Sequence, residues 1–222
     1  MLALIALIVS IAAADALNPS TVAPALYYGI GPHGKRDVLS FAVGVFAVSL
    51  AGGIGLTFGP GQQLLTRVSK PTPHTVHVIE LVAGGAALPV AAYLWRARAR
   101  FAARLAHSTE PRGRSALLLG AGIMAVELPT AIPYLAAIAA IVEAGHNDGT
   151  QVVLVVLYNV VFVAPLIVLF AVLALAGERG VQLAARARAQ LDLWAPRVAP
   201  AALLAAAIVL LALGSVGLAR NY

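Results

Sequence analysis

Cysteine is absent from this chain. That excludes disulfides, thiol redox relays and thiolate metal sites, and leaves no signal for the redox compartment. Charge is nearly as scarce. Asp, Glu, Lys and Arg make up 11% of the residues, against about 25% in an ordinary soluble domain. So few charges cannot cover a water-facing surface. No glycine-rich loop is followed by a strand or basic residue in the way a phosphate loop requires. No nucleophile–base constellation is recognisable, since His107 and His146 fall in loops far from any serine elbow. The expected reading is therefore not an enzyme, and no cofactor is expected.

What is present is apolar. Hydrophobic residues make up 61% of the sequence, and the mean hydropathy is +0.91. A membrane span needs about 20 mostly apolar residues. Val38 to Phe58, Thr150 to Ala176 and Val198 to Ala219 meet this without a charge. Thr75 to Trp95 is broken only by His77 and Glu80, Ser115 to Val142 only by Glu127, and Met1 to Ile30 only by Asp15. The runs are continuous rather than alternating, which predicts helices and not barrel strands. Ala12-Ala13-Ala14 resembles a signal-peptidase site, but no Lys or Arg precedes the apolar stretch, so the first run is read as a retained span. The fold class expected is all-α: a polytopic membrane protein of six transmembrane helices, forming a single membrane domain over 1–222.

Basic residues set the topology. Lys35 and Arg36 follow span 1. Arg96, Arg98, Arg100, Arg104, Arg112 and Arg114 follow span 3, and Arg179, Arg186, Arg188 and Arg197 follow span 5. That leaves Arg67, Lys70 and Arg220, of 15 Lys and Arg in all, for the opposite face. The larger group belongs in the cytoplasm, which places the protein in the inner membrane with both termini outside. The net charge of +6 then points to anionic lipid headgroups as partners at these loops, and not to nucleic acid. Trp95 to Leu105 and Val181 to Trp194 mix arginine with apolar residues. They are read as helix extensions, with membrane-surface helices as the alternative.

Chemistry is expected where polar groups enter the bilayer, because an ionised side chain there needs a reason. At about 1.5 Å per residue, Asp15 lies about 21 Å from the outer end of span 1, and Glu127 about 18 Å from the inner end of span 4. Both depths fall near the middle of a core about 30 Å thick. Each acid is followed by helix breakers: Asp15-Ala-Leu-Asn18-Pro19-Ser20-Thr21-Val-Ala-Pro24, and Glu127-Leu-Pro129-Thr130-Ala-Ile-Pro133-Tyr134. A proline inside a helix removes a donor and crowds the carbonyl four residues earlier. Lipid cannot satisfy the freed carbonyls, so Asn18, Ser20, Thr21 and Thr130 are the local candidates, beside water, substrate or ion. Kinks alone would be structural. Two such segments, each opening a three-helix half, are the outline of two inverted repeats with broken helices 1 and 4, over about 1–95 and 115–222. The substrate- or ion-binding set read from this is Asp15, Asn18, Pro19, Ser20, Thr21, Glu127, Pro129, Thr130 and Asn159. Asn159 faces either the site or a neighbouring helix. His74, His77 and Glu80 share a helical spacing that suits a metal, but such spacing arises easily by chance, and no metal is expected. Gly52, Gly53, Gly55, Gly84 and Gly85 are read as permitting close helix packing.

Asp15-x-x-Asn18-Pro19, the Pro129-Thr-x-x-Pro133 segment and Tyr158-Asn159…Pro165-Leu166 together resemble the lysine-exporter superfamily. Within it the chain looks most like the glycolipid-addressing GAP or Sap proteins of mycobacteria and relatives. The resemblance covers nearly the whole chain. It implies transport of cell-envelope lipids or glycolipids, or help in moving them to the surface. The alanine- and arginine-rich composition is in keeping with an actinobacterial source. A branch that moves electrons through paired cysteines in similar broken helices is excluded here. Three classes stay open: a carrier for a lipid-linked or amphipathic substrate, a small-solute or cation exporter, and a non-transporting scaffold partnering an envelope-assembly enzyme or lipid pump. With no nucleotide loop, transport would draw on an ion gradient or on a partner. Asp15 and Glu127 would then be the natural proton carriers, as apolar surroundings favour the uncharged carboxyl.

Overall fold

A computed structural model describes residues 1–59, 77–78, 81–93, 95–96 and 115–220. Among these every regular element is a helix. The helices are α1 (Leu2–Asp15), α2 (Pro19–Gly29), α3 (Gly34–Phe58), α4 (Leu81–Tyr93), α5 (Ala116–Glu127), α6 (Ile132–Glu143), α7 (Asp148–Ala176) and α8 (Glu178–Arg220), with a 3-10 turn at Leu128–Thr130. The chain is an all-helical membrane protein. Two helices, α3 and α7, are long and apolar enough to cross a bilayer by themselves. The pairs α1–α2 and α5–α6 raise the number to four if each pair is one span. α4 and the Leu203–Ala219 stretch of α8 are shorter apolar helices.

The expected breaks are present. α1 and α2 meet at 59°, and α5 with its 3-10 turn meets α6 at 68°. The local chemistry explains both. At the first break Pro19 cannot donate to the carbonyl of Asp15, and the Asn18 amide takes that carbonyl instead at 3.1 Å. Pro19 then opens α2 at its first position, where a missing N–H costs nothing, with Asn18 as N-cap. At the second break Pro129 lies in the 3-10 turn and Pro133 in the first turn of α6.

Two compact units divide the chain. The first comprises 1–67 and 111–188, the second 68–110 and 189–222. In the first unit α3 is the central element, with α2, α5 and α7 against it, and α1 lies against α6 and α7. Its core includes Ile8, Ala12, Phe41, Val45, Tyr134, Ile138, Val155 and Tyr158, all buried. Large apolar side chains point outward at Leu2, Val126 and Leu175, which are 84%, 81% and 88% exposed. That inversion suits a surface solvated by hydrocarbon. Gly52 faces the end of the Leu128 side chain, which a Cβ would displace, and Gly53 is closed in by Tyr134 and Val155. A Cβ at Gly55 would meet nothing within 4 Å among the described residues, so the packing seen there involves two of these three glycines.

In the second unit, a Cβ at Gly84 of α4 would come within 2.8 Å of Leu211 and 2.9 Å of the Ala207 carbonyl. A Cβ at Gly85 beside it would meet nothing within 4 Å among the described residues. Val181 to Trp194 is part of the uninterrupted helix α8, as the helix-extension reading expected. The matching stretch after Trp95, together with His74 and Glu80, lies outside the described residues apart from Trp95 and Arg96.

Candidate functional site

The site is built on the first break. Asn18 ends the interrupted stretch and caps α2, its Oδ1 accepting the Ser20 amide at 3.1 Å. That use of the oxygen directs the side-chain nitrogen away from the helix, and the nitrogen donates to Oε1 of Glu127. Ser20, one residue inside α2, donates its hydroxyl to Oε2 of the same carboxylate at 2.7 Å. Glu127 is the last residue of α5. Its carboxylate thus joins the two breaks, with one hydrogen bond to each oxygen. It also stands at the N-terminus of α2, where the helix dipole favours negative charge.

The neighbouring polar groups are occupied locally. Thr21 is buried and donates to the Asn18 carbonyl at 3.1 Å. Thr130 donates to the Glu127 carbonyl at 2.9 Å. Both hydroxyls are thus turned to backbone at a break, Thr21 to a carbonyl that the Val22 amide also reaches at 3.1 Å. Pro19 and Pro129 are exposed and shape the breaks without making polar contacts.

Asp15 is half-buried at the end of α1. Its Oδ2 accepts the hydroxyl of Tyr158, from α7, at 2.8 Å. Neither carboxylate has an ion-pair partner among the described residues. The pair is therefore an acceptor-rich node at two helix breaks, held by an amide, a serine and a tyrosine. Such a node can accept hydrogen bonds from hydroxyl groups, take up a proton or hold a cation.

A family model described as "Sap, sulfolipid-1-addressing protein" matches residues 8–216. The chain belongs to this family. No curated protein and no solved structure matches it.

In this Sap-family protein the predicted set divides. Asn18, Ser20 and Glu127 come together, Asp15 adjoins them through its carbonyl, which accepts the Asn18 amide, and Thr21 and Thr130 bond backbone beside them. Asn159 does not join them. It is fully buried, accepts the hydroxyl of Ser49 from α3, and donates to the Val155 carbonyl at 2.8 Å. Tyr134 donates to the carbonyl of Ser49, completing a separate polar cluster. Its ring meets that of Tyr158 edge-on at 5.0 Å, so aromatic packing links the cluster to the Asp15 side. Sequence reasoning missed Tyr158 as the partner of Asp15, and missed Ser49 and Tyr134. The available signal was weak: a tyrosine beside an asparagine inside an apolar run, and a tyrosine directly after Pro133. Among the described residues no group of three metal-ligating side chains gathers.

Proposed function

We propose that this protein carries a cell-envelope lipid or glycolipid across the inner membrane, or assists a partner that does, with Glu127 and Asp15 as the working carboxylates. The observation that carries the reading is the Glu127 carboxylate held by Asn18 and Ser20 across two broken helices. Broken helices facing each other at a polar node are the usual construction of a transport site, where unpaired backbone and acidic groups meet substrate or coupling ion. The name of the family, with its reference to addressing a sulfolipid, supports a lipid as cargo.

The reading includes six spans in two inverted three-helix repeats, α1–α2 and α5–α6 each counting as one broken span. It puts both termini outside and the arginine-rich loops in the cytoplasm, against anionic headgroups. It makes the protein a carrier and not an enzyme, driven by an ion gradient or by an envelope-assembly partner. A cation exporter is the second reading, favoured by two neighbouring carboxylates without an ion-pair partner among the described residues. A scaffold without transport is the third.

The decisive variants are Asp15→Asn and Glu127→Gln, which remove the charge and the proton-carrying group at almost constant shape. Both should abolish surface delivery of envelope lipid at matched protein level. Efflux of a small cation lost in place of lipid delivery would install the second reading, and full activity in both variants the third. The chain has no cysteine to replace, so single cysteines report topology directly. A cysteine at position 105 that is labelled from outside the cell would overturn the orientation.

A further inference from the structure

Two chain turns meet at one end of the first unit. One joins α2 to α3 through Ile30 and His33, and the other joins α7 to α8 at Gly177. Small residues let them approach. A Cβ at Gly29 would lie 3.2 Å from Leu173 and 3.7 Å from Ala184, and Gly180 rests on the backbone of Val172 and Leu173. Gly177 has φ +54°, which lets α7 turn directly into α8. Between the turns lies a cavity of about 310 Å³, at the small end of ligand-pocket sizes. Leu173 and Val181 give it an apolar side, and the first turns of both α3 and α8 line it.

The donors around this cavity are unused. The first helical bond of α3 runs from the Asp37 amide to the His33 carbonyl at 3.0 Å, and the Gly34 amide turns back to Gly31 at 3.1 Å. The amides of Lys35 and Arg36 are left as the orphan donors of a helix start, and the His33 side chain does not cap them. α8 begins in the same way, its first bond running from the Val181 amide to the Gly177 carbonyl at 3.2 Å. Two helix N-termini, each favouring negative charge, thus share one hollow. Lys35 and Arg36 bring two cationic side chains to its rim, and neither has an ion-pair partner among the described residues. Against them stands a single carboxylate among the lining residues, that of Glu178.

We propose that this cavity binds a phosphate group, held between the basic start of α3 and the turn into α8. Backbone amides at a helix start bind phosphate readily, and Lys and Arg beside them strengthen the hold through charge-assisted bonds. The phosphate is that of a lipid head or a free one. A lipid head also places its ester carbons against Leu173 and Val181. The site is separate from the carboxylate node, since Ser20 and Gly29 lie about 14 Å apart along α2. Its occupant is therefore a resident that ties two loops together, and not a cargo at Glu127. This assignment rests on the reading that the basic loops meet anionic headgroups, and gives one headgroup its address.

The test uses the purified full chain in detergent, with bound probes counted by native mass spectrometry. The probes are phosphatidic acid, diacylglycerol with the same acyl chains, and inorganic phosphate. The two lipids differ by the phosphate alone. Phosphatidic acid should be retained several-fold more than diacylglycerol. Lys35→Gln with Arg36→Gln should lower that retention several-fold, and Glu178→Gln should raise it by removing the opposing charge. Arg186→Gln with Arg197→Gln removes equal charge at exposed positions outside the cavity and should leave retention unchanged. Val181→Trp fills the cavity without altering charge, and should lower retention even if the Lys35 and Arg36 pair fails to fold. Inorganic phosphate that displaces phosphatidic acid and binds as tightly supports the site and makes its ligand free phosphate, removing the headgroup from this place. Retention lost in the Arg186 and Arg197 pair but kept in the Lys35 and Arg36 pair overturns the site alone, and leaves the basic loops facing headgroups. No preference for phosphatidic acid over diacylglycerol, with no binding of inorganic phosphate, overturns both.

Discussion

The Tyr158 hydroxyl donates a 2.8 Å hydrogen bond to Asp15, tying the end of α1 to the middle of α7. Glu127 is held differently, by Asn18 and Ser20 of the first break. Each acid is therefore oriented by a partner distant in sequence, and the partners do not overlap. The two carboxylates thus have separate donors, while the helix breaks that carry them are joined through Glu127.

Tyr158→Phe isolates the first of these bonds. The ring is buried against Tyr134 and lies 6.4 Å from Phe162, and phenylalanine keeps that packing. What is lost is one donor to a carboxyl group, worth about 1.5–3 kcal/mol where such a bond is to a charged group. The expected outcome is a thermal midpoint lower by a few degrees and lipid delivery reduced several-fold at matched protein level. A variant that loses stability but delivers lipid at the full rate would show that the orientation of Asp15 does not matter to transport.

Asn18 does two jobs, and two substitutions separate them. Asn18→Asp preserves an N-cap oxygen for the Ser20 amide and replaces the donor to Glu127 with a carboxylate. Asn18→Ala loses both. If the bond to Glu127 is what transport needs, both variants are inactive, and Asp is the more damaging because it places like charges in contact. If only the cap is needed, Asp restores activity and Ala does not. Lipid delivery by the two variants, with membrane abundance measured alongside, decides it.

The breaks and the acids at them were legible because proline chemistry is local. Pro19 and Pro133 have no amide to donate, whatever surrounds them, and an acid within an apolar run needs a reason anywhere in the chain. Partner choice was not legible, because it depends on which helices meet. Nothing in Tyr158-Asn159 tells that the tyrosine turns to Asp15 while its neighbour turns to Ser49. Adjacent residues on a helix point about 100° apart, so they reach different helices. Hydroxyls were ambiguous for a related reason. Ser20 and Thr130 both follow a proline or precede one, yet Ser20 serves a side chain and Thr130 a backbone carbonyl. Glycines gave the least: Gly53 is pressed by Tyr134, and Gly55 faces nothing within 4 Å among the described residues.

Two glycines on α5 give a matched stability test. Gly120 faces the backbone of Phe41, and its missing Cβ would come within 3.2 Å of that residue's carbonyl carbon. Gly122, two residues on, has no neighbour within 4 Å of its Cβ position among the described residues. Backbone cannot yield as a flexible side chain can, so Gly120→Ala should cost about 1–3 kcal/mol by overpacking. Gly122→Ala should be neutral or slightly stabilising, since alanine is the better helix former. Thermal unfolding in detergent compares them directly. Equal effects would mean that α3 and α5 are not packed through this glycine.

Ser49 and Asn159 supply the last test, because their bond is buried away from the carboxylates. Ser49→Ala leaves the Asn159 oxygen without its donor, and Asn159→Leu leaves the Ser49 hydroxyl without its side-chain acceptor. A buried polar group stranded in this way costs about 1–3 kcal/mol. Removing both at once strands neither, so the double variant should lose less than the sum of the singles. That non-additivity, read from thermal midpoints, is the mark of a direct pair. The Ser49 hydroxyl also touches the Phe46 carbonyl at 3.2 Å, which softens the Asn159→Leu penalty without removing the coupling. Lipid delivery per folded molecule should be unchanged in all three variants, since none alters Asp15, Glu127 or their donors. A variant that folds normally and fails to deliver lipid would move Asn159 into the transport site, where its place in the sequence first suggested it.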